Sequence, residues 1–116
     1  MTVPRGTIVY AGDPFERGDA GRPWMIVNTP EMPFHGEQYV VLALSTRTWY
    51  EERLPISDDD LIDGGLPEES SILPWAVGSI GSNDIDRELG RLDEGVVDDA
   101  VRTLASYLGV RLDTDR

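Results

Sequence analysis

The sequence predicts an α+β domain in which a small, mostly antiparallel and strongly bent sheet or barrel of about five to seven short strands precedes one long C-terminal helix. Three observations carry this. Up to about Ile80 the apolar residues come in short runs cut by Gly and Pro, the pattern of strands and turns. From Ser82 onward the apolar spacing turns helical. Strands do not alternate with helices, so the crossovers that a parallel sheet requires are missing.

Taken in order, the strand candidates are Thr7 to Tyr10, Trp24 to Val27, Tyr39 to Leu44, Arg53 to Ile56 and Ile72 to Val77. All but Arg53 to Ile56 are rich in β-branched or aromatic residues. Pro55 and Pro74 lack the N–H that a ladder uses, so each marks an edge, a bulge or a strand end. A short helix is expected around Asp84 to Leu89, closed by Gly90. A longer one is expected over Glu94 to Leu108, where Val97, Val101, Leu104 and Leu108 recur at three- and four-residue steps. Asp98 and Asp99 favour its N-terminal end and Gly109 its stop.

The chain has 116 residues, the size of one domain, and 40% of them are hydrophobic, enough for a single core. No internal repeat or linker divides it, so residues 1–116 are expected to form one domain. No apolar run has the length of a membrane span, and Met1 to Tyr10 lacks the layout of a secretory signal, which makes the cytoplasm the expected compartment without membrane attachment. Zero Cys removes disulfides, thiolate nucleophiles and thiolate metal sites, and a single His, His35, excludes histidine-based metal clusters. His35 in Pro33-Phe34-His35-Gly36 reads as a loop residue. Asp58-Asp59-Asp60 lacks spaced cation-loop ligands and reads as a capped or solvated turn.

Charge is the most unusual property. The 22 acidic residues outnumber ten basic ones, all Arg, for a net charge of -12. An acidic surface without Lys resembles the composition of extreme halophiles, in which dense negative charge keeps proteins soluble in molar salt. The imbalance is uneven: residues 1–56 hold five Arg and seven acids, while residues 57–116 hold five Arg and fifteen acids. A polyanion would therefore bind the N-terminal half.

The order of landmarks resembles the MazF/PemK family of toxin endoribonucleases. Gly6-Thr7-Ile8-Val9-Tyr10 followed by Asp13-Pro14-Phe15 is similar to the family's first strand and loop. Gly21-Arg22-Pro23-Trp24-Met25-Ile26-Val27 is similar to its Arg-Pro-hydrophobic second strand, and Val40 to Leu44 with Ser45-Thr46 to its third. Ser71-Ile72-Leu73, Val77-Gly78-Ser79-Ile80 and Glu88-Leu89-Gly90-Arg91-Leu92 match the C-terminal portion, so the resemblance spans roughly Arg5 to Gly109. It rests on the ordering of short motifs more than on any one of them.

The resemblance implies a small SH3-like antiparallel barrel with a C-terminal helix (MazF/CcdB-like), a homodimer, a cognate antitoxin protein as partner and single-stranded RNA as substrate. It also implies cleavage without a metal or other cofactor, the ribose 2′-hydroxyl attacking the adjacent phosphate. Arg22 is then the expected group that neutralises charge on the phosphoryl oxygens, because guanidinium is a rigid fork matched to phosphate. The hydroxyl of Ser45 or Thr46 is expected to position the same phosphate, with Ser45 favoured by register. Phe15, Trp49 and Tyr50, with Arg17 and Arg47 near them in sequence, are expected to contact RNA by stacking and phosphate pairing. The competing readings are a surface Arg that sets a strand entry, hydroxyls bonded to their own backbone, and aromatics packed in the core or a dimer contact. Trp24 and Trp75 lie within strands and are expected in the core. Two departures, Ser45-Thr46 where the family has Thr-Ser and no Arg in Ala76 to Ser79, favour an alternative: a non-catalytic protein-binding module of the gyrase-poison type.

Overall fold

A computed structural model describes residues 2–12 and 21–111. Its centre is one seven-stranded sheet whose named pairings are all antiparallel, curled into a half-barrel and joined by a single α-helix. The strands are β1 (Thr7–Gly12), β2 (Gly21–Ile26), β3 (Gln38–Ser45), β4 (Leu54–Pro55), β5 (Leu61–Gly64), β6 (Ser71–Gly81) and β7 (Ile85–Leu92), and the helix is α1 (Glu94–Tyr107). Strand order is β4-β6-β3-β2-β1-β7-β5.

The central strands bury side chains on both faces. One apolar cluster gathers Val9, Trp24, Ile26, Tyr39, Val41 and Ile80; the other gathers Ile8, Met25, Leu42, Leu44, Ile72 and Leu92 together with Val97 and Ala100 of α1. Alternation along each strand explains the division, since Trp24 and Ile26 face one side and Met25 the other. Asp93 caps α1, its Oδ2 accepting the Gly95 N–H at 3.0 Å. Burying Val97 completely is worth on the order of 1.5 to 3 kcal/mol, and it docks the helix on the second cluster. Gly109 has φ +83 and ends the helix where expected.

Three expectations are corrected. Asp84 to Leu89 is not a helix: a short 3-10 turn, Ser82–Asp84, leads into strand β7, whose partners are β1 and β5. Gly90 is not a helix stop but a point of close strand approach, where an added Cβ would lie 2.7 Å from the Asp63 carbonyl oxygen. Apolar residues at positions 85, 89 and 92 suit either element, and the unpaired edge of β1 decides between them. β5 carries only two apolar residues and gave no periodic signal.

Trp75 is the third correction. It is 37% exposed, whereas Trp24 is 2% exposed and lies in the core as expected. Between the pairs Leu42↔Val77 and Leu44↔Ile72, β6 spends residues 73–76 opposite the single residue Ala43, a bulge that contains Pro74. The missing N–H of Pro74 fits an interrupted ladder, and the bulge turns Trp75 outward. Pro55 lies on the edge strand β4, again as its chemistry requires. Asp60 accepts the Ser57 N–H at 2.8 Å, so the Asp58–Asp60 segment is a capped 3-10 turn. His35 lies in the loop before β3, with Nδ1 3.2 Å from Asn28 Nδ2. No helix among the described residues is long and apolar enough to cross a membrane.

Candidate functional site

Adjacent ends of β2 and β3 open onto a cleft of about 280 Å³ whose lining includes Arg22, Ser45, Thr46, Arg47 and Tyr50. Strand register brings these residues together. Trp24 pairs with Ala43, and carrying the same antiparallel register two residues further sets Arg22 beside Ser45 on the same face of the sheet. Two residues twenty-three positions apart in sequence thus line one cleft.

Arg22 is partly buried, and its guanidinium is oriented from two directions. Nη2 donates to the Leu44 carbonyl oxygen at 2.8 Å, and Cζ lies 5.7 Å from the centre of the Trp24 ring. An indole face attracts a guanidinium and restricts its tilt. Trp24 Nε1 is itself buried without an acceptor, so the ring contributes its face and not its N–H.

Ser45 is 8% exposed, and its Oγ accepts the Arg47 N–H at 3.1 Å. That contact uses a lone pair and leaves the hydroxyl proton available to donate. Thr46 follows the last residue of β3 and is exposed, so strand alternation no longer forces it to the opposite face, and both residues line the cleft. Ser45 is the more rigidly held of the two.

Beyond Tyr50 the site continues as an aromatic series. Arg47 Cζ lies 5.2 Å from the Trp49 ring centre, Trp49 and Tyr50 are 5.8 Å apart between ring centres, and Tyr50 meets Trp75 edge-on at 5.4 Å. The Tyr50 turn is pinned by Arg53, whose Nη1 donates to the Tyr50 carbonyl oxygen at 2.8 Å. Trp75 is the member that sequence reasoning missed; Pro74 beside it was the available signal. Phe15 and Arg17 lie outside the described residues.

None of the described residues lining this cleft is acidic. Three other surface depressions contrast with it: one carries Asp63 and Glu88, another Asp58, Glu68 and Glu69, and a third Asp86 and Glu88. In a chain of net charge -12, the described lining of this cleft, with two arginines and no carboxylate, repels an anion less than the acidic linings of those three depressions do. The described lining also lacks an imidazole, so these residues can position and neutralise an anion but do not include a general base. No group of three or more His, Cys, Asp or Glu among the described residues could hold a metal ion.

No family model matches the sequence, and no curated protein sequence does. Solved structures do match the fold. A mycobacterial endoribonuclease in complex with its cognate antitoxin superposes with a TM-score of 0.71 at 19% identity, over 97% of this chain and 98% of that one. A second mycobacterial endoribonuclease gives 0.73 at 18% identity, over 97% of each chain. MazF from Deinococcus radiodurans gives 0.74 at 14% identity, over 95% of this chain and 99% of that one. The chain therefore has the MazF-like fold along nearly its whole length.

Proposed function

We propose that the protein is a toxin-type endoribonuclease that cleaves single-stranded RNA without a metal and is silenced by a cognate antitoxin. The observation that carries this reading is that Arg22 and Ser45 line one cleft whose described lining has no carboxylate, on the fold shared with the endoribonucleases above. In the reaction, the ribose 2′-oxygen bonds to the adjacent phosphorus as the bond to the 5′-oxygen breaks. The products are a 2′,3′-cyclic phosphate and a 5′-hydroxyl, and the proton lost by the 2′-hydroxyl is balanced by the one gained at the 5′-oxygen. Arg22 neutralises charge growing on the phosphoryl oxygens, and its contacts with Leu44 and Trp24 set the guanidinium plane before substrate arrives. Ser45 donates its hydroxyl proton to a non-bridging oxygen, with Thr46 as its rival for that contact. Arg47 pairs with a flanking phosphate, and Trp49 and Tyr50 take unpaired bases.

The working form in this reading is a symmetric homodimer in the cytoplasm, and light scattering at micromolar protein in molar KCl should give twice the 12.9 kDa chain mass. Molar salt is the appropriate medium because it screens the self-repulsion of -12 charges per chain. Incubation with mixed-sequence RNA in the same salt plus EDTA tests the activity: fragments are expected. Intact RNA at stoichiometric protein would favour the non-catalytic protein-binding module, to which the Ser45-Thr46 order and the lack of Arg in Ala76 to Ser79 point.

A further inference from the structure

We propose that Trp75, turned out of the core by the β6 bulge, completes with Trp49 and Tyr50 a platform on which unpaired nucleobases stack beside the phosphate held at Arg22; this rests on reading the cleft as a site for single-stranded RNA. The rings form a connected series that starts at the cleft: Tyr50 lines it, and the Trp49 and Trp75 ring centres lie 5.8 Å and 5.4 Å from that of Tyr50. Interplanar angles of 41° and 64° mean that the rings do not close into one mutual stack. Trp49 and Trp75 are 67% and 37% exposed, so each leaves ring surface open.

The platform is held in place before any ligand arrives. Pro74, the residue before Trp75 in the bulge, is buried, and Arg53 fixes the Tyr50 turn through its side chain. Arg47 covers part of Trp49 and adds a cation to the same surface. Exposed indoles continuous with an arginine-bearing cleft suit a chain that carries both π-faces and negative charge, which single-stranded nucleic acid does. A duplex keeps its base faces stacked inside and cannot use such a platform. Stacking also survives the salt that weakens phosphate contacts.

The test uses a fluorescently labelled single-stranded deoxyribo-oligonucleotide of about ten nucleotides, a length within the usual site sizes, followed by anisotropy in molar KCl. It lacks the 2′-hydroxyl and is not cut, so binding is read independently of catalysis. Trp75→Ala should raise Kd about tenfold, and Trp75→Phe, which keeps a ring, by no more than about threefold. With the unaltered protein, abasic sites moved along the oligonucleotide should cost about tenfold at adjacent positions, and the duplex form should bind about tenfold more weakly. Parent affinity in folded Trp75→Ala, indifference to every abasic site, or equal binding of the duplex would each overturn the platform, as would a Trp75→Ala protein that keeps oligonucleotide affinity but loses a protein partner. A parent that passes these tests yet leaves RNA intact would retain the platform and refute the cleavage reading. Normal RNA cleavage with KM unchanged in Trp75→Ala would do the reverse.

Discussion

Arg5 and Arg22 show what the same side chain does in two regions of one acidic molecule. Arg5 precedes β1 and closes the sheet onto the acidic helix: Nε donates to the Val27 carbonyl oxygen at 2.9 Å, and Nη1 meets Asp98 at 2.9 Å and Glu94 at 3.3 Å. Its charge is consumed by carboxylates of α1. Arg22, the second residue of β2, lines a cleft with no described acidic lining, and a carbonyl and an indole face are among its contacts. The difference lies in what surrounds each guanidinium. Within a chain of -12 charge, the acidic helix fastens Arg5 in place, while Arg22 lines a cleft whose described walls carry a second arginine and no carboxylate.

The largest effect that would sharpen this contrast is kinetic. Arg22→Ala should slow RNA cleavage by roughly a hundredfold or more, on the order of 2 to 4 kcal/mol of transition-state stabilisation, and Arg22→Lys should recover little because an ammonium lacks the fork. The stability of Arg22→Ala, followed by chemical denaturation, should fall by at least the roughly 1 kcal/mol that the hydrogen bond to Leu44 supplies, with the protein still folded. A smaller kinetic effect is expected at the hydroxyls. Ser45→Ala should reduce cleavage about tenfold, the scale of one hydrogen bond to a charged oxygen, with Thr46→Ala several times milder. Equal mild effects from both would place the phosphate elsewhere.

Arg5→Ala should do the opposite of Arg22→Ala. Glu94 and Asp98 are 69% and 45% exposed on their side chains, so solvent screens both pairs and the loss should be about 1 kcal/mol of stability, with cleavage by the folded protein unchanged. The penalty should shrink further between low salt and molar KCl, which chemical denaturation at both salt concentrations would measure. A cleavage defect in Arg5→Ala larger than its stability loss would dissolve the contrast between the two arginines.

Much of this arrangement was legible in the sequence, for local reasons. β1, β2, β3 and most of β6 announced themselves through β-branched and aromatic runs, and α1 through its three- and four-residue spacing. Arg22 and Ser45, expected together from short motifs, do line one cleft, because each sits near the end of its strand where a motif read along the chain also fixes position in space. Non-local determinants were not readable. β7 is a strand because β1 and β5 flank it, and Gly90 serves the approach of Asp63 from another segment. Trp75 sits within an apolar run that reads as core, and only the pairing with β3 shows that a bulge turns it to the surface. The roles of Leu44 and Trp24 in orienting Arg22 were likewise invisible, since a carbonyl contact leaves no mark in residue identity.

The most direct test of the central claim, that the Arg22 and Ser45 cleft holds a scissile RNA phosphate, is mass spectrometry of a DNA oligonucleotide carrying ribonucleotides at a site cut in mixed RNA, incubated in molar KCl with EDTA. Cleavage is expected only 3′ of a ribonucleotide, leaving a 2′,3′-cyclic phosphate and a 5′-hydroxyl, with the same termini at a rate roughly a hundredfold lower for Arg22→Ala. Cleavage that survives replacement of the last ribonucleotide by deoxyribose, or an Arg22→Ala protein as fast as its parent, would contradict it.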